Sequence, residues 1–271
     1  MKFSLVNGER IEAKPELSGQ CPVCNYPTIA KCGEQRIKHW AHKGKRICDS
    51  WWENETEWHR EWKGHFPEEC QEIIQYAEDG EKHIADVRTV QGWVIEFQHS
   101  FLKPEERKAR NAFYVKLVWV VDGLRRTRDK TQFINSLNHV NIGQNVKTVY
   151  LDDCALLREW SGIHAPVFFD FGEQQLWCLL PTHQDAWGYV AGVTRQEFIE
   201  LHNKAPDETE NFEKFLTKLN NLFGLVSQRS LVHQTKQSPP IIQQKLDPLE
   251  MIRSAMLRRK RGINPYAPHR R

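Results

Sequence analysis

The sequence lacks the long apolar run that a membrane helix requires. Its apolar stretches, such as Leu117–Val121, are far shorter than the roughly 20 residues that span a bilayer. The first 17 residues also lack the apolar segment of a secretory signal peptide. We therefore expect a cytoplasmic protein without a membrane partner.

A strong net charge is missing as well, because the 271 residues carry a formal net charge of only +3. With 39% hydrophobic and 27% charged residues the chain is not a disordered one, and its length suits one or two domains with a real core. The charge is uneven, since residues 245–271 contain eight basic and two acidic side chains. This pattern predicts a basic tail that contacts DNA or a protein partner, or that only aids solubility.

Composition divides the chain into four segments, and no internal repeat is evident. Residues 1–50 are rich in Cys, His, Lys and Gly and form a small module, whereas 51–150 alternate helix and strand patterns as an α/β core. Residues 151–232 are an α+β region. Residues 233–271 are typical of a linker and basic tail, with one helix predicted over 247–260.

The cysteines point to a metal site rather than to disulfides, because their number is odd and four of the seven lie within the first 48 residues. Cys21 and Cys24 form a C-x2-C knuckle. His42 and Cys48 complete a set of four ligands for a closed, structural zinc site, with His39 as the alternative nitrogen ligand. A redox C-x2-C is the competing interpretation, but no βαβ pattern flanks the knuckle.

Residues 83–100 carry the strongest signal, two strands joined by a turn at residues 90–92. A three-residue hairpin loop needs its last residue in the left-handed region, where Gly92 costs least. This loop places 87 opposite 95 and 88 opposite 94. Asp86 and Glu96 then lie opposite each other, with their Cβ atoms about 5 Å apart and with Gln98 on the same face.

The two faces of this hairpin differ in chemistry. We expect Ala85, Val87 and Ile95 to form a core face, and the carboxylates to form a polar one. Because like charges across a sheet repel, a divalent cation such as Mg²⁺ bridging Asp86 and Glu96 is the economical explanation. The alternative is an exposed sheet face with two unrelated acids.

The segments on either side of the hairpin are predicted to be helical. A helix over Trp51–Phe66 places Glu55, His59 and Lys63 on one polar stripe, which either serves the metal site or only stabilises the helix. On this helix Glu53 falls on the solvated side. After the hairpin, residues 104–115 form a crossover helix that leads into a buried parallel strand over 116–121.

The order of these motifs resembles a known family. CPVC, KHWAH, Cys48, ETEWHREWK, HIADV, VIEFQHS and LVWVVDG together are similar to the competence protein CoiA-like family over roughly residues 1–205. The resemblance implies an α/β protein with a restriction-endonuclease-like αββαβ core, an N-terminal zinc ribbon and a C-terminal helical and basic extension. Residues 51–150 would be its PD-(D/E)xK nuclease core.

The implied activity is that of a deoxyribonuclease dependent on Mg²⁺ or Mn²⁺, in bacterial competence, recombination or defence. In that fold Asp86 and Glu96 hold the metal. This sequence departs from the family at Gln98, which replaces the lysine that activates the attacking water. Gln98 would orient that water by hydrogen bonding, and Lys63 is the expected substitute for the lysine.

The remaining roles follow from the same resemblance. His59 would relay a proton, and Glu55 would complete the ligand shell or orient His59. An RNA nuclease is a further alternative, as is a catalytically inactive DNA-binding or scaffold protein that lost turnover through Gln98.

Overall fold

The computed structural model describes residues 1–44, 48–51, 53–143, 145–180, 187–221 and 224. They belong to one compact unit, which extends over Met1–Val226. The predicted tail over 233–271, with its helix, lies outside the described residues. In the part of the chain that the structure describes, no helix is both long enough and apolar enough to cross a membrane.

The N-terminal module is a five-stranded antiparallel sheet. Its strands are β1 (Phe3–Val6), β2 (Glu9–Glu12), β3 (Ser18–Gln20), β4 (Pro27–Lys31) and β5 (His39–His42). They are ordered β2-β1-β3-β4-β5. Asn7 and Gly8 join the first two strands with φ angles of 53° and 85°, which is the left-handed turn that a tight hairpin needs.

A second sheet of nine strands holds most of the remaining chain. Its strands are β6 (Gln71–Tyr76), β7 (Lys82–Arg88), β8 (Val94–Gln98), β9 (Leu117–Asp122), β10 (Leu137–Gly143), β11 (Val146–Tyr150), β12 (Val167–Asp170), β13 (Gln175–Leu179) and β14 (Trp187–Thr194). They are ordered β10-β11-β14-β13-β12-β9-β8-β7-β6. The predicted segments 51–150 and 151–232 therefore contribute strands to the same sheet.

The helices are α1 (Glu57–Gly64), α2 (Pro104–Phe113), α3 (Asp129–Ser136), α4 (Ala155–Trp160) and α5 (Arg195–Asn203), and residues 212–221 are also helical. The crossover helix α2 joins β8 to β9, which are parallel as predicted. The first helix is shorter than expected, because Thr56 caps its N-terminus and leaves residues 51–55 outside it. Three strands, not two, lie between α1 and α2, since β6 precedes the hairpin.

The centre of the large sheet is buried on both faces, because every residue of β9 is buried. Val118 and Val120 belong to one apolar cluster, and Trp119 and Val121 belong to a second cluster on the opposite face. The expectation of one core face and one polar face is therefore wrong for this hairpin. Glu96 lies on a strand whose five residues are all buried.

The register of the hairpin is confirmed for two rungs, Val87 with Ile95 and Arg88 with Val94, but the ladder stops there and does not pair Asp86 with Glu96. Gly92 has a φ of 79°, as the three-residue loop requires. Ala85 does not share a face with Val87, because the two residues belong to different clusters. The ladder between β6 and β7 skips the rung at residues 72 and 86, where Glu72 has a φ of 47°. This break turns the strand over at Asp86.

Candidate zinc cluster and active site

The four predicted zinc ligands lie together. The ligand atoms of Cys21, Cys24, His42 and Cys48 are all within 4.8 Å of one another. The Sγ atoms of Cys21 and Cys48 are 3.8 Å apart, and His42 Nε2 lies 3.3 Å from Cys24 Sγ and 3.4 Å from Cys48 Sγ. A tetrahedral zinc ion would separate two sulfurs by about 3.8 Å and a sulfur from a nitrogen by about 3.6 Å. The cluster can therefore bind a metal such as zinc.

Local structure explains why these ligands converge. Asn25, with a φ of 56°, bends the knuckle so that its N–H donates to the Cys21 carbonyl at 2.9 Å. The hydrogen bond with Cys48 is the main reason why the pKa of Cys21 falls to about 4, which favours the thiolate that zinc needs. His39 does not join the cluster, because it is not among the residues whose ligand atoms lie within 4.8 Å of one another; its Nδ1 is bonded to the Ile37 carbonyl at 2.9 Å.

A second site is a pocket of about 70 Å³ between α1, the 49–55 segment, β7 and β8. Three cations, Lys63, Arg110 and the α-amino group of Met1, face it together with His59. Six carboxylates also line it: Asp49, Glu53, Glu55, Glu72, Asp86 and Glu96. Even with all three cations charged, the carboxylates outnumber them.

The two acids of the hairpin meet in this pocket. Asp86 Oδ2 accepts a hydrogen bond from the Phe97 N–H at 3.0 Å, and about a quarter of its side chain is exposed. Glu96 is buried, with Oε2 bonded to Arg110 Nη1 at 2.8 Å. Its other oxygen, Oε1, is buried with no hydrogen-bond partner among the described residues. Burial, reinforced by the charge of Asp86, raises the pKa of Glu96 to about 8.

Lys63 is enclosed by acids. Its Nζ lies 2.5 Å from Glu55, 3.0 Å from Glu72 and 4.0 Å from Asp86. Burial alone would lower the pKa of Lys63, but the three carboxylates outweigh it and raise the pKa. Lys63 is therefore a permanent cation in the pocket. Glu55, although outside the helix, still reaches it.

His59 completes a capping box with Thr56, whose N–H donates to His59 Nδ1 at 3.3 Å. Burial lowers the pKa of His59, although Asp86 and Glu53 act in the opposite direction. The neutral imidazole is therefore favoured over the charged form. With Nδ1 accepting, its proton sits on Nε2.

Gln98 is not among the residues that face the pocket. Its side-chain amide donates one hydrogen bond to Glu53 Oε1. It donates another to the Ser100 carbonyl at 3.1 Å. Glu53 is therefore a site residue and not a solvated one, because the short first helix leaves it in the segment that enters the pocket.

Sequence reasoning also did not place Arg110, Asp49 or Glu72 in the pocket, since it put Arg110 on a helix face toward DNA or solvent. Arg110 is only 4% exposed, and its place on the crossover helix was a usable signal, because that helix must pack back onto the strand of Glu96. Nothing in the sequence pattern indicated Glu72, because its place in the pocket depends on strand β6, which was not predicted. Beside the pocket, His99 Nδ1 bonds to Asp122 Oδ2 at 2.7 Å, and the His99 and His59 ring centroids are 6.0 Å apart.

The fold and the two sites define a protein that joins a Cys3His metal-binding module to a mixed α/β sheet with a carboxylate-rich pocket. Residues 8–50 match the family model described as competence protein CoiA, N-terminal domain. The N-terminal module is therefore similar to that domain, and over these residues the match supports the resemblance to CoiA-like proteins. A search of curated proteins and a search of solved structures each found no match.

Proposed function

We propose that this protein is a DNA nuclease that depends on Mg²⁺ or Mn²⁺ and that uses Asp86 and Glu96 as its metal ligands. The observation that carries the proposal is the unpartnered, buried Oε1 of Glu96 beside Asp86, in a pocket with more carboxylates than cations. A buried carboxylate oxygen without a partner is costly, and a divalent cation would satisfy it. Acidic oxygens are the ligands that Mg²⁺ and Mn²⁺ prefer.

The chain topology supports a restriction-endonuclease-like core. Helix α1 comes first, the antiparallel strands β6, β7 and β8 follow, and the crossover helix α2 leads to the parallel strand β9. The two acids lie on adjacent strands of this unit. The implied core has one strand more than the αββαβ pattern expected from the sequence.

Phosphodiester hydrolysis adds water across one P–O bond, so the attacking water loses a proton and the leaving oxygen gains one. A divalent metal in the pocket would supply Lewis-acid activation and charge neutralisation. Lys63, held charged by its three acids, would position Asp86 and offset negative charge on the phosphate. His59, with its proton on Nε2, would donate a hydrogen bond to a substrate oxygen rather than act as a base.

Glu55 would then hold Lys63, and Gln98 would act indirectly by orienting Glu53. The substrate is DNA, single- or double-stranded, with further contacts from the basic tail or with a protein partner docked there. The family name of residues 8–50 supports a place in competence-related DNA processing.

A catalytically inactive DNA-binding or scaffold protein is the second candidate. Two observations favour it: Gln98 stands where the family has a lysine and faces Glu53, and Arg110 already occupies one oxygen of Glu96. Both candidates bind DNA, so only cleavage separates them.

The test compares wild type with Glu96→Ala on linear single- and double-stranded DNA, in Mg²⁺, in Mn²⁺ and in EDTA, with single-stranded RNA as competitor. Glu173→Ala is the control, because that glutamate is exposed and does not line the pocket. We expect cleavage that requires metal, is lost in Glu96→Ala and persists in Glu173→Ala. Absence of cleavage by folded, zinc-loaded wild type would favour the inactive candidate.

A further inference from the structure

The residue after the zinc ligand Cys48 fastens the module to the strand of the catalytic acid. The Asp49 carboxylate, 5% exposed, accepts hydrogen bonds from the Trp51 N–H at 2.9 Å and from the Ile84 N–H at 3.1 Å. Asp49 also pairs with His83 Nδ1 at 3.0 Å. Both Ile84 and His83 belong to β7, two and three residues before Asp86.

Trp51 continues the connection toward α2. Its ring stacks on His83, with centroids 3.2 Å apart and planes 7° apart. The Trp51 carbonyl accepts a hydrogen bond from Arg110 Nη2 at 2.7 Å, and the guanidinium lies 5.4 Å from the Trp51 ring centre. Arg110 is therefore held both from the side of the zinc cluster and by Glu106 of its own helix, whose Oε1 accepts hydrogen bonds from Arg110 Nη2 at 2.6 Å and from Nε at 3.2 Å.

Arg110 completes the connection at Glu96. Its Nη1 bonds Glu96 Oε2 at 2.8 Å, and both side chains are about 5% exposed. A planar guanidinium fixes the direction of the carboxylate that it binds. By holding Oε2, Arg110 sets where the free Oε1 lies in the pocket.

We propose that Asp49, Trp51 and Arg110 are positioning residues that join the zinc cluster to Glu96, so that zinc at the cluster controls binding of a divalent cation in the pocket. The proposal rests on the proposed function in one respect, namely that the pocket binds such a cation. Zinc restrains Cys48, and hence residues 49–51, before the cation arrives. Without zinc these residues must be ordered when the cation binds, which weakens that binding.

The experiment titrates Mn²⁺ into the full chain and measures bound manganese by paramagnetic resonance. The samples are wild type with one equivalent of zinc, zinc-stripped wild type, and zinc-loaded Asp49→Ala and Asp49→Asn. Asp129→Asn is the matched control, because it removes another buried carboxylate, one that pairs with Arg126 away from the pocket. Zinc content and circular dichroism are recorded for each sample.

We expect Asp49→Ala to keep its zinc but to bind Mn²⁺ about tenfold more weakly, because loss of the residues that orient a metal ligand typically lowers metal affinity by at least that factor. Asp49→Asn retains an oxygen that accepts from the Ile84 N–H, so it should recover part of the loss. Zinc-stripped wild type should resemble Asp49→Ala, and Asp129→Asn should resemble wild type.

Two results would contradict the proposal separately. If zinc-loaded wild type binds no Mn²⁺, the catalytic metal site, and with it the proposed function, is wrong. If wild type binds Mn²⁺ with the same affinity whether or not zinc is present, or if Asp129→Asn weakens binding as much as Asp49→Ala does, the connection is wrong while the nuclease proposal stands.

Discussion

The zinc cluster and the acidic pocket are two candidate metal sites built in opposite ways. The cluster draws its four ligands from 28 consecutive residues, 21–48, and they meet at distances typical of a metal site. The pocket draws its charged groups from α1, α2, three strands and the 49–55 segment. A site whose ligands are close together in the chain can be predicted from their spacing. A site assembled from distant elements can be predicted only in part.

The protonation states of the two sites differ as well. In the cluster a neighbouring thiol lowers the pKa of Cys21, and in the pocket burial and Asp86 raise the pKa of Glu96. The low pKa of Cys21 favours the thiolate, which binds a cation directly. The high pKa of Glu96 favours its protonated form, so a cation that binds there must displace a proton.

The largest expected effect tests the local site. Cys24→Ala removes one zinc ligand, and structural zinc contributes on the order of 10 kcal/mol in small zinc domains. We expect the bound zinc to be lost and amide exchange to become fast across β1–β5. Metal analysis and hydrogen exchange measure both. Cys32→Ala is the control, since Cys32 lies outside the cluster, and loss of zinc there too would contradict the assignment.

The next effect tests the assembled site. Lys63→Met leaves Glu55, Glu72 and Asp86 without their shared cation, which should lower the free energy of unfolding by about 3–5 kcal/mol. Urea denaturation at pH 7 measures the change. Lys130→Met is the control, because its partner Glu173 is exposed and such pairs contribute about 1 kcal/mol or less. If Lys63→Met lowers the free energy of unfolding by less than about 1 kcal/mol, the three acids around Lys63 do not depend on its charge.

A buried histidine outside both sites, His202, should make the stability of the protein depend on pH. Burial lowers the pKa of His202 to about 3, and its Nε2 has no hydrogen-bond partner within the described structure. Because the unfolded chain has the higher pKa, about 6.5, it binds the proton first, and stability is lost as the pH falls from about 6.5 to 3.

At pH 5 the loss of folding stability caused by protonation of His202 in the unfolded chain amounts to roughly 2 kcal/mol. We expect His202→Leu to remove it, so that the variant gains that much relative to wild type between pH 7.5 and pH 5 in denaturant titrations. His164→Asn, at an exposed position, should leave the pH profile unchanged. Identical profiles for wild type and His202→Leu would contradict the prediction.

The smallest effect tests the hairpin that the sequence predicted. Gly92 has a φ of 79°, and no atom lies within 4 Å of a Cβ added there. Gly92→Ala should therefore cost only backbone strain, about 1–2 kcal/mol. Thermal denaturation measures it. Gly33→Ala also meets no atom and lacks a left-handed φ, so it should change stability by less than about 0.5 kcal/mol.

Sequence reasoning recovered the parts that depend on short-range pattern. The hairpin register follows from one glycine, and the parallel strand after α2 follows from a continuous apolar run. It failed where the chain leaves regular structure. Trp51–Phe66 has the period of a helix, but Thr56 caps it, because its side chain satisfies the free N–H groups at that end. Glu53 and Glu55 consequently approach the pocket from a non-helical segment.

The sequence alone predicted the four residues of the Cys3His cluster, apart from the choice between two histidines, and it singled out the two acids of the hairpin. The cluster is a consequence of spacing, since a knuckle restricts where nearby side chains can point, whereas the meeting of Asp86 and Glu96 in one pocket also depends on the irregular strand at Asp86. Only the tertiary structure decided that His42 and not His39 faces the cysteines, that Lys63 is enclosed by three acids and that Arg110 holds Glu96. These contacts join residues far apart in the chain, and packing of α1 and α2 on the sheet, not local propensity, brings them together.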